Sequence, residues 1–280
     1  MYKRQDETCK DFHAALTTKF STNHLGELTW YTDCAFKRNW ELGTLEITQE
    51  AFVESMLNHF GVNSSSDLPA TPGVERGPRE EGEPKGDWTY REVVGSLMWL
   101  STMTRPDISN AVRAVACHSH NPTDRQWKTV LKIMAYLHGT RGMKMIFVRG
   151  SGLDLTAYSD ADYADKSNDR RSVSGTVITL RDPAVSWASS TQRRVTLSTT
   201  EAEYVALGEG VQETLFTGAV LSFICPEQSG SCVRVFEDNQ GAIALAENPL
   251  SSARSKHIDV RFHFAREVLR AKKMDIQLVA

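Results

Sequence analysis

L-D-L-T-A-Y-S-D-A-D-Y-A-D, residues Leu153–Asp165, is the stretch whose reading decides the fold. Leu153, Leu155 and Ala157 alternate with Asp154, Thr156 and Tyr158, which is the period of a half-buried strand. Asp160, Asp162 and Asp165 then fall where that strand ends. A strand end that carries a carboxylate into a cleft suits a hard cation such as Mg²⁺, which takes oxygen ligands on a rigid element. An acidic turn in water uses the same letters, so the neighbouring sequence has to separate the two readings.

Downstream, period-two patterning continues in Gly175–Leu180 and Ala184–Ala188, with turn chemistry at Arg181-Asp182-Pro183. The three segments predict an antiparallel meander. A helix is expected from about Ser198–Thr200, carrying Leu207, Val211, Leu215 and Gly218 on one face. A strand Val233–Phe236, a short helix from Asn239, a helix after Asp259 and a strand over Asp275–Val279 complete the order βββαβαα(β). That order defines an α/β domain with a mixed sheet.

Upstream the period is helical. Thr89-x-x-Glu92 and Thr123-x-x-Gln126 have the form of capping boxes, Asp107 that of an N-cap, and each precedes an apolar stripe. Three packed helices are expected there, and a further one over 49–60, started by Thr48 and stopped by Gly61. Residues 63–88 are rich in Ser, Pro, Gly and charge and read as a linker or long exposed loop.

Composition bounds the remainder. With 280 residues the chain can bury one large core or two ordinary ones. Its longest apolar runs are a few residues and its first ten are polar, so neither a membrane span nor a signal segment is expected, and an intracellular location is. Five cysteines form no C-x-x-C pair, which argues for free thiols. A net charge of −3 gives no bulk attraction to nucleic acid, so such a partner would be met by local clusters such as Arg170-Arg171 and Arg193-Arg194.

Three acids fall at the ends of elements that an α/β sheet brings to one edge: Asp160 after the first strand, Glu203 early in the first helix, Asp238 after the fourth strand. Two carboxylates about 4 Å apart repel by roughly 4 kcal/mol at an effective dielectric near 20, so such a cluster calls for a cation. Each acid also has a purely structural reading. Glu201 completes a box with Ser198, Glu203 one with Thr200, and Asp238 can cap the helix that follows it.

Y-S-D-A-D-Y-A-D, D-R-R-S-V-S-G, V-S-W-A-S-S-T-Q, L-S-T-T-E-A-E-Y-V-A-L, D-N-Q-G-A-I-A-L and K-H-I-D-V-R-F-H-F together resemble the ribonuclease H domain of copia-type LTR retrotransposon Pol polyproteins. L-G-E-L, T-Q-E-A-F, Y-R-E-V-V-G-S-L-M-W-L, T-R-P-D-I and V-L-K-I-M-A-Y-L-H-G-T resemble the last part of the same polyprotein's reverse transcriptase. The resemblance implies a remnant of the reverse transcriptase over 1–62, the linker over 63–88, a helical thumb or connection over 89–148 and a ribonuclease H-like domain over 149–280, with a mixed five-stranded sheet and flanking helices. It implies Asp160 as the acid that bridges two Mg²⁺ ions (Mn²⁺ substituting), with Glu203 and Asp238 as further ligands, and Glu201 as the alternative to Glu203. The substrate would be an RNA–DNA hybrid, with Arg170, Arg171, Arg193, Arg194 and Gln240 as contacts. His257 and Asp259 in K-H-I-D are secondary candidates, Asp259 at a helix start where capping is the simpler role. Two departures stand out. No Y-x-D-D motif is present, so polymerisation is not expected, and the family's fourth acid would lie beyond Ala280. The remainder of the polyprotein is an expected partner, a membrane is not, and the expected sites of action are cytoplasm, virus-like particle or nucleus. A catalytically silent nucleic-acid-binding remnant is the rival expectation.

Overall fold

The computed structural model describes residues 2–23, 26–62, 71–72, 82–83, 86, 88–164, 170–228, 233–247, 263–271 and 274–279. A first helix, α1 (Tyr2–Lys19), precedes three strands, β1 (Trp30–Tyr31), β2 (Cys34–Asn39) and β3 (Thr44–Thr48). Helices α2 (Glu50–His59), α3 (Tyr90–Met103), α4 (Ser109–Ala116) and α5 (Asp124–Gly139) follow, and then β4 (Met145–Val148). β1 to β4 form an antiparallel sheet in chain order, in which β4 returns to pair with β3 through Leu45↔Phe147.

Helices α2 to α5 share one core. Val53, Met56 and Leu57 of α2 pack with Val93, Leu97 and Leu100 of α3, Val112 of α4, and Val130, Ile133 and Leu137 of α5. The α5 box forms as expected, with Gln126 Oε1 accepting from the Thr123 backbone N–H at 2.7 Å. Two expected caps do not. Thr89 makes no side-chain cap bond, and Asp107 sits in a 3₁₀ turn where it binds Arg105 (2.7 Å) and accepts from Tyr136 Oη (2.9 Å). The reason for the second is charge: the Arg105 guanidinium is almost wholly buried, and a buried cation needs a carboxylate more than a helix start does. Neither α1 nor β4 is marked by a pattern in the sequence.

The second sheet carries the α/β half. Its strands are β5 (Leu155–Asp162), β6 (Val173–Leu180), β7 (Ala184–Thr191), β8 (Val233–Glu237) and β9 (Met274–Leu278), in the order β7-β6-β5-β8-β9. β5, β6 and β7 pair antiparallel, while β5–β8 and β8–β9 pair parallel. This is the mixed five-stranded sheet that the sequence predicts. Helix α6 (Thr199–Ile224) crosses one face, joined by α7 (Gln240–Glu247) and α8 (His263–Arg270), and Leu155, Ala157, Ile178, Leu207, Val211, Val235 and Ile276 fill the space between.

α6 begins at a side-chain N-cap. Ser198 Oγ accepts from the Glu201 N–H at 3.1 Å, and Glu201 Oε2 accepts from the Leu197 N–H at 2.7 Å. Ser198→Ala is expected to cost about 1 kcal/mol of stability, measured by urea denaturation of the full chain. Among the described residues the four cysteines, Cys9, Cys34, Cys117 and Cys225, are free, and no helix is long and apolar enough to cross a membrane.

Candidate active site

Small side chains set the site's geometry. Ala161 at the end of β5 packs on Ala202 and Ala206 of α6, forming a separate buried cluster. One turn on, Gly210 lies where a Cβ would stand 3.5 Å from Ser159 and 3.4 Å from the Thr176 hydroxyl. With nothing larger between them, helix and strand approach closely, and Glu203 is carried to the strand end that bears Asp160. β8 supplies the third acid. Tyr158 and Phe236 are partners in the parallel β5–β8 pairing, so Asp160 and Asp238, two residues further along each chain, emerge at the same edge.

Asp160, Glu203 and Asp238 accordingly each offer a carboxylate oxygen within 4.8 Å of the others. The alternative roles fall elsewhere. Glu201 is the residue engaged in capping α6, and Asn239, whose Oδ1 accepts from the Ala242 N–H at 3.0 Å, starts α7 in place of Asp238. Glu203 does not close a box with Thr200; it is buried, and its Oε2 has no hydrogen-bond partner. Glu201→Gln is expected to leave any metal-dependent activity within about 3-fold, since its carboxylate faces the Leu197 amide, and a steady-state rate on a common substrate checks this.

Electrostatics follow from the crowding. Burial, then Glu237, Asp160 and Asp238, push the Glu203 carboxyl up to about 8. Burial and the Asp238 charge push Asp160 upward as well. Glu237 is a member of this neighbourhood that the sequence reading missed. It is wholly buried, its Oε2 accepts from Ser159 Oγ at 2.8 Å and its Oε1 from the Asn239 N–H at 3.2 Å, and burial pushes it up to about 7. The signal was present in the strand's alternation, since Val233, Val235 and Glu237 share the inward face.

The two loops flanking this edge are tied together by buried polar groups. Ser172 Oγ bonds Thr196 Oγ1 at 2.8 Å, while Gln192 Nε2 donates to Ser174 Oγ (3.1 Å) and to the Ala202 carbonyl (2.9 Å). Register puts the basic residues here. Asp162 pairs with Val173 and Val173 with Thr191, so Arg170 and Arg171 just before β6 and Arg193 and Arg194 just after β7 stand at the carboxylate edge. Gln240, exposed at the start of α7, lies two residues past Asp238. His257 and Asp259 lie outside the described residues.

Five strands in this order and pairing, with acids from the central strand, the following helix and the adjacent parallel strand, define a ribonuclease H-like domain. Over nine tenths of its length the chain is similar to retrovirus-related Pol polyproteins of plant transposons. It is 34% identical over 263 residues to the Pol polyprotein of transposon TNT 1-94 of Nicotiana tabacum, covering 91% of this chain and 20% of that protein. The polyprotein of transposon RE2 of Arabidopsis thaliana is 32% identical over 256 residues, covering 90% of this chain and 17% of that protein. The chain thus spans about one fifth of the length of these relatives. No family model matches it. Among solved structures, LC11-RNase H1, isolated from compost by a metagenomic approach, is similar over 45% of this chain and 84% of its own at 15% identity, with a TM-score of 0.33. The N-terminal RNase H domain of Rv2228c from Mycobacterium tuberculosis covers 45% of this chain and 87% of its own at 14% identity, with a TM-score of 0.31.

Proposed function

We propose that this chain is the ribonuclease H part of a copia-type Pol polyprotein and that it hydrolyses the RNA strand of RNA–DNA hybrids with the help of Mg²⁺ or Mn²⁺. The observation that carries this reading is the convergence of Asp160, Glu203 and Asp238 within 4.8 Å at one sheet edge. The donor set fits a hard divalent cation: all three offer oxygen only, and the buried Glu203 Oε2 lacks a partner that a cation would supply. Asp160, Glu203 and Asp238 would hold the metal. Two bound ions would supply an activated water and charge stabilisation at the leaving oxygen of a phosphodiester.

The protein's own contribution is position and charge. β5, β8 and α6 fix the three carboxylates on packed elements, and the Gln192 and Ser172 bonds hold the loops beside them. Arg170, Arg171, Arg193 and Arg194 would meet phosphates, and Gln240 would lie beside the bound strand. Incubating the full chain with end-labelled RNA–DNA hybrid in Mg²⁺, and separately in Mn²⁺, tests the reading, with duplex DNA as control. Cleavage confined to the RNA strand and abolished by chelation is the expected result; hybrid binding without cleavage in either metal would select the binding-remnant reading instead.

A further inference from the structure

Above the carboxylates, the helical region closes on the open face of the sheet. Trp187 Nε1 of β7 donates to the Ser101 carbonyl of α3 at 2.6 Å, and Arg113 of α4 donates to Ser189 Oγ at 3.2 Å and Thr191 Oγ1 at 3.3 Å. Between the two lies a cleft of about 280 Å³, roomy enough for a ribose and its phosphate, whose lining includes Ser109 and Asn110 on one side and Tyr158, Gly175, Trp187 and Ser189 on the other. Asp160 lines it too.

Register explains why the cleft opens towards the carboxylates. Asp160 pairs with Gly175 and Gly175 with Ser189, so the three share one row across one face of the sheet. The middle residue has no side chain, which leaves a channel from Ser189 to the Asp160 carboxylate. Strands lie about 4.8 Å apart, which puts Ser189 roughly 10 Å from Asp160, one to two nucleotides along a strand. The next row, Tyr158, Val177 and Trp187, gives an apolar floor.

Asn110 fixes what the cleft recognises. Its Oδ1 accepts from Arg113 Nη2 at 2.8 Å and Nε at 3.3 Å, and from Ser189 Oγ at 3.4 Å, which settles the orientation of the amide. The Nδ2 donors of this exposed residue are left with no acceptor among the described residues. A ribose 2′-hydroxyl both accepts and donates, so it can take the Asn110 amide and give its own proton to a Ser109 oxygen. A deoxyribose leaves the amide unpaired, and 2′-hydroxyls are the atoms that tell RNA from DNA.

We infer that this cleft, built jointly by α4 and the β5–β6–β7 face, seats the RNA strand beside the cleaved bond and that Asn110 reads a 2′-hydroxyl there. The inference rests on the hydrolase reading above, and it makes the helical region part of the substrate site.

A double-mutant cycle on the full chain tests it. Hybrids carrying one 2′-deoxy substitution at each position near the cut are bound and cleaved by wild type and by Asn110→Ala. One position is expected to weaken binding to wild type about 10-fold, and Asn110→Ala is expected to weaken binding to the unsubstituted hybrid as much while being indifferent to that position. Equal sensitivity in wild type and variant at every position would overturn the inference and leave the hydrolase reading standing. Absence of any preference for hybrid over duplex DNA in wild type would overturn both. Thermal melting shows whether Asn110→Ala folds, and if it does not, Ser109→Ala, which removes the other partner of the hydroxyl, takes its place in the cycle.

Discussion

Asp160→Asn is expected to abolish cleavage of RNA–DNA hybrid, with a loss of at least about 10³-fold, which corresponds to about 4 kcal/mol of barrier. The side chain keeps its shape, so little packing is disturbed. What it loses is the charge that the cluster contributes to a cation, and an amide offers one neutral oxygen where the carboxylate offered two. The same substitution carries an opposite effect on the metal-free protein. Asp160 is one of the charges that push Glu203 upward, so removing it relieves repulsion at a buried site, and the metal-free chain is expected to gain about 1 kcal/mol of stability at pH 8. A variant that melts higher without metal yet does not cut is the signature of a residue placed for charge. Cleavage within 10-fold of wild type in Asp160→Asn, or a lower melting temperature without metal, would remove Asp160 from the site.

Local signals and long-range ones were not equally readable. β5 announced itself because Leu155 and Ala157 alternate with polar residues, and the start of α6 because Ser198 and Glu201 form a cap whose partners are three residues apart. Choosing between Glu201 and Glu203 was different. Both fit a local box, and the choice is made by Ala202 and Ala206 packing on Ala161, about forty residues away. α1 has no apolar stripe to read: its Phe12 is exposed and its sequence is mostly polar. β4 is four residues long and finds its partner β3 about a hundred residues earlier, a pairing that no local pattern encodes. Glu237 went unread because the predicted strand stopped at Phe236, one residue short of the acid its own alternation turns inward. The cleft between α4 and β7 belongs to neither segment alone, so it exists only once Arg113 and Trp187 have joined them.

Stability of the metal-free chain is expected to fall as pH rises from about 5 to about 8, and divalent metal is expected to restore it at the upper end only. The sign follows from where the protons sit. Glu203 and Glu237 titrate near 8 and near 7 in the folded chain, against 4.5 for an ordinary glutamate. The folded state therefore holds protons that the unfolded state has already released, and stability present below the unfolded value is lost as pH climbs through the folded ones. Both side chains are almost fully buried, so solvent screening takes little from the effect. At 1.36 kcal/mol per pKa unit the two shifts together amount to about 8 kcal/mol, of which about 6 is lost between pH 5 and pH 8, or roughly 20 °C in melting temperature. A cation binds the ionised carboxylates and not the protonated ones, so Mn²⁺ or Mg²⁺ at millimolar concentration raises the melting temperature at pH 8 and has little effect at pH 5. Differential scanning calorimetry across that range, with and without metal, reads both effects. The two acids separate by substitution. Glu203→Gln removes the shallower part of the slope that persists from pH 7 to pH 8, and half of the slope below it, together with the metal response. Glu237→Gln removes about half of the slope between pH 5 and pH 7 and leaves most of the metal response in place, because its carboxylate is spent on Ser159 and Asn239 inside the sheet rather than on the cluster at its edge.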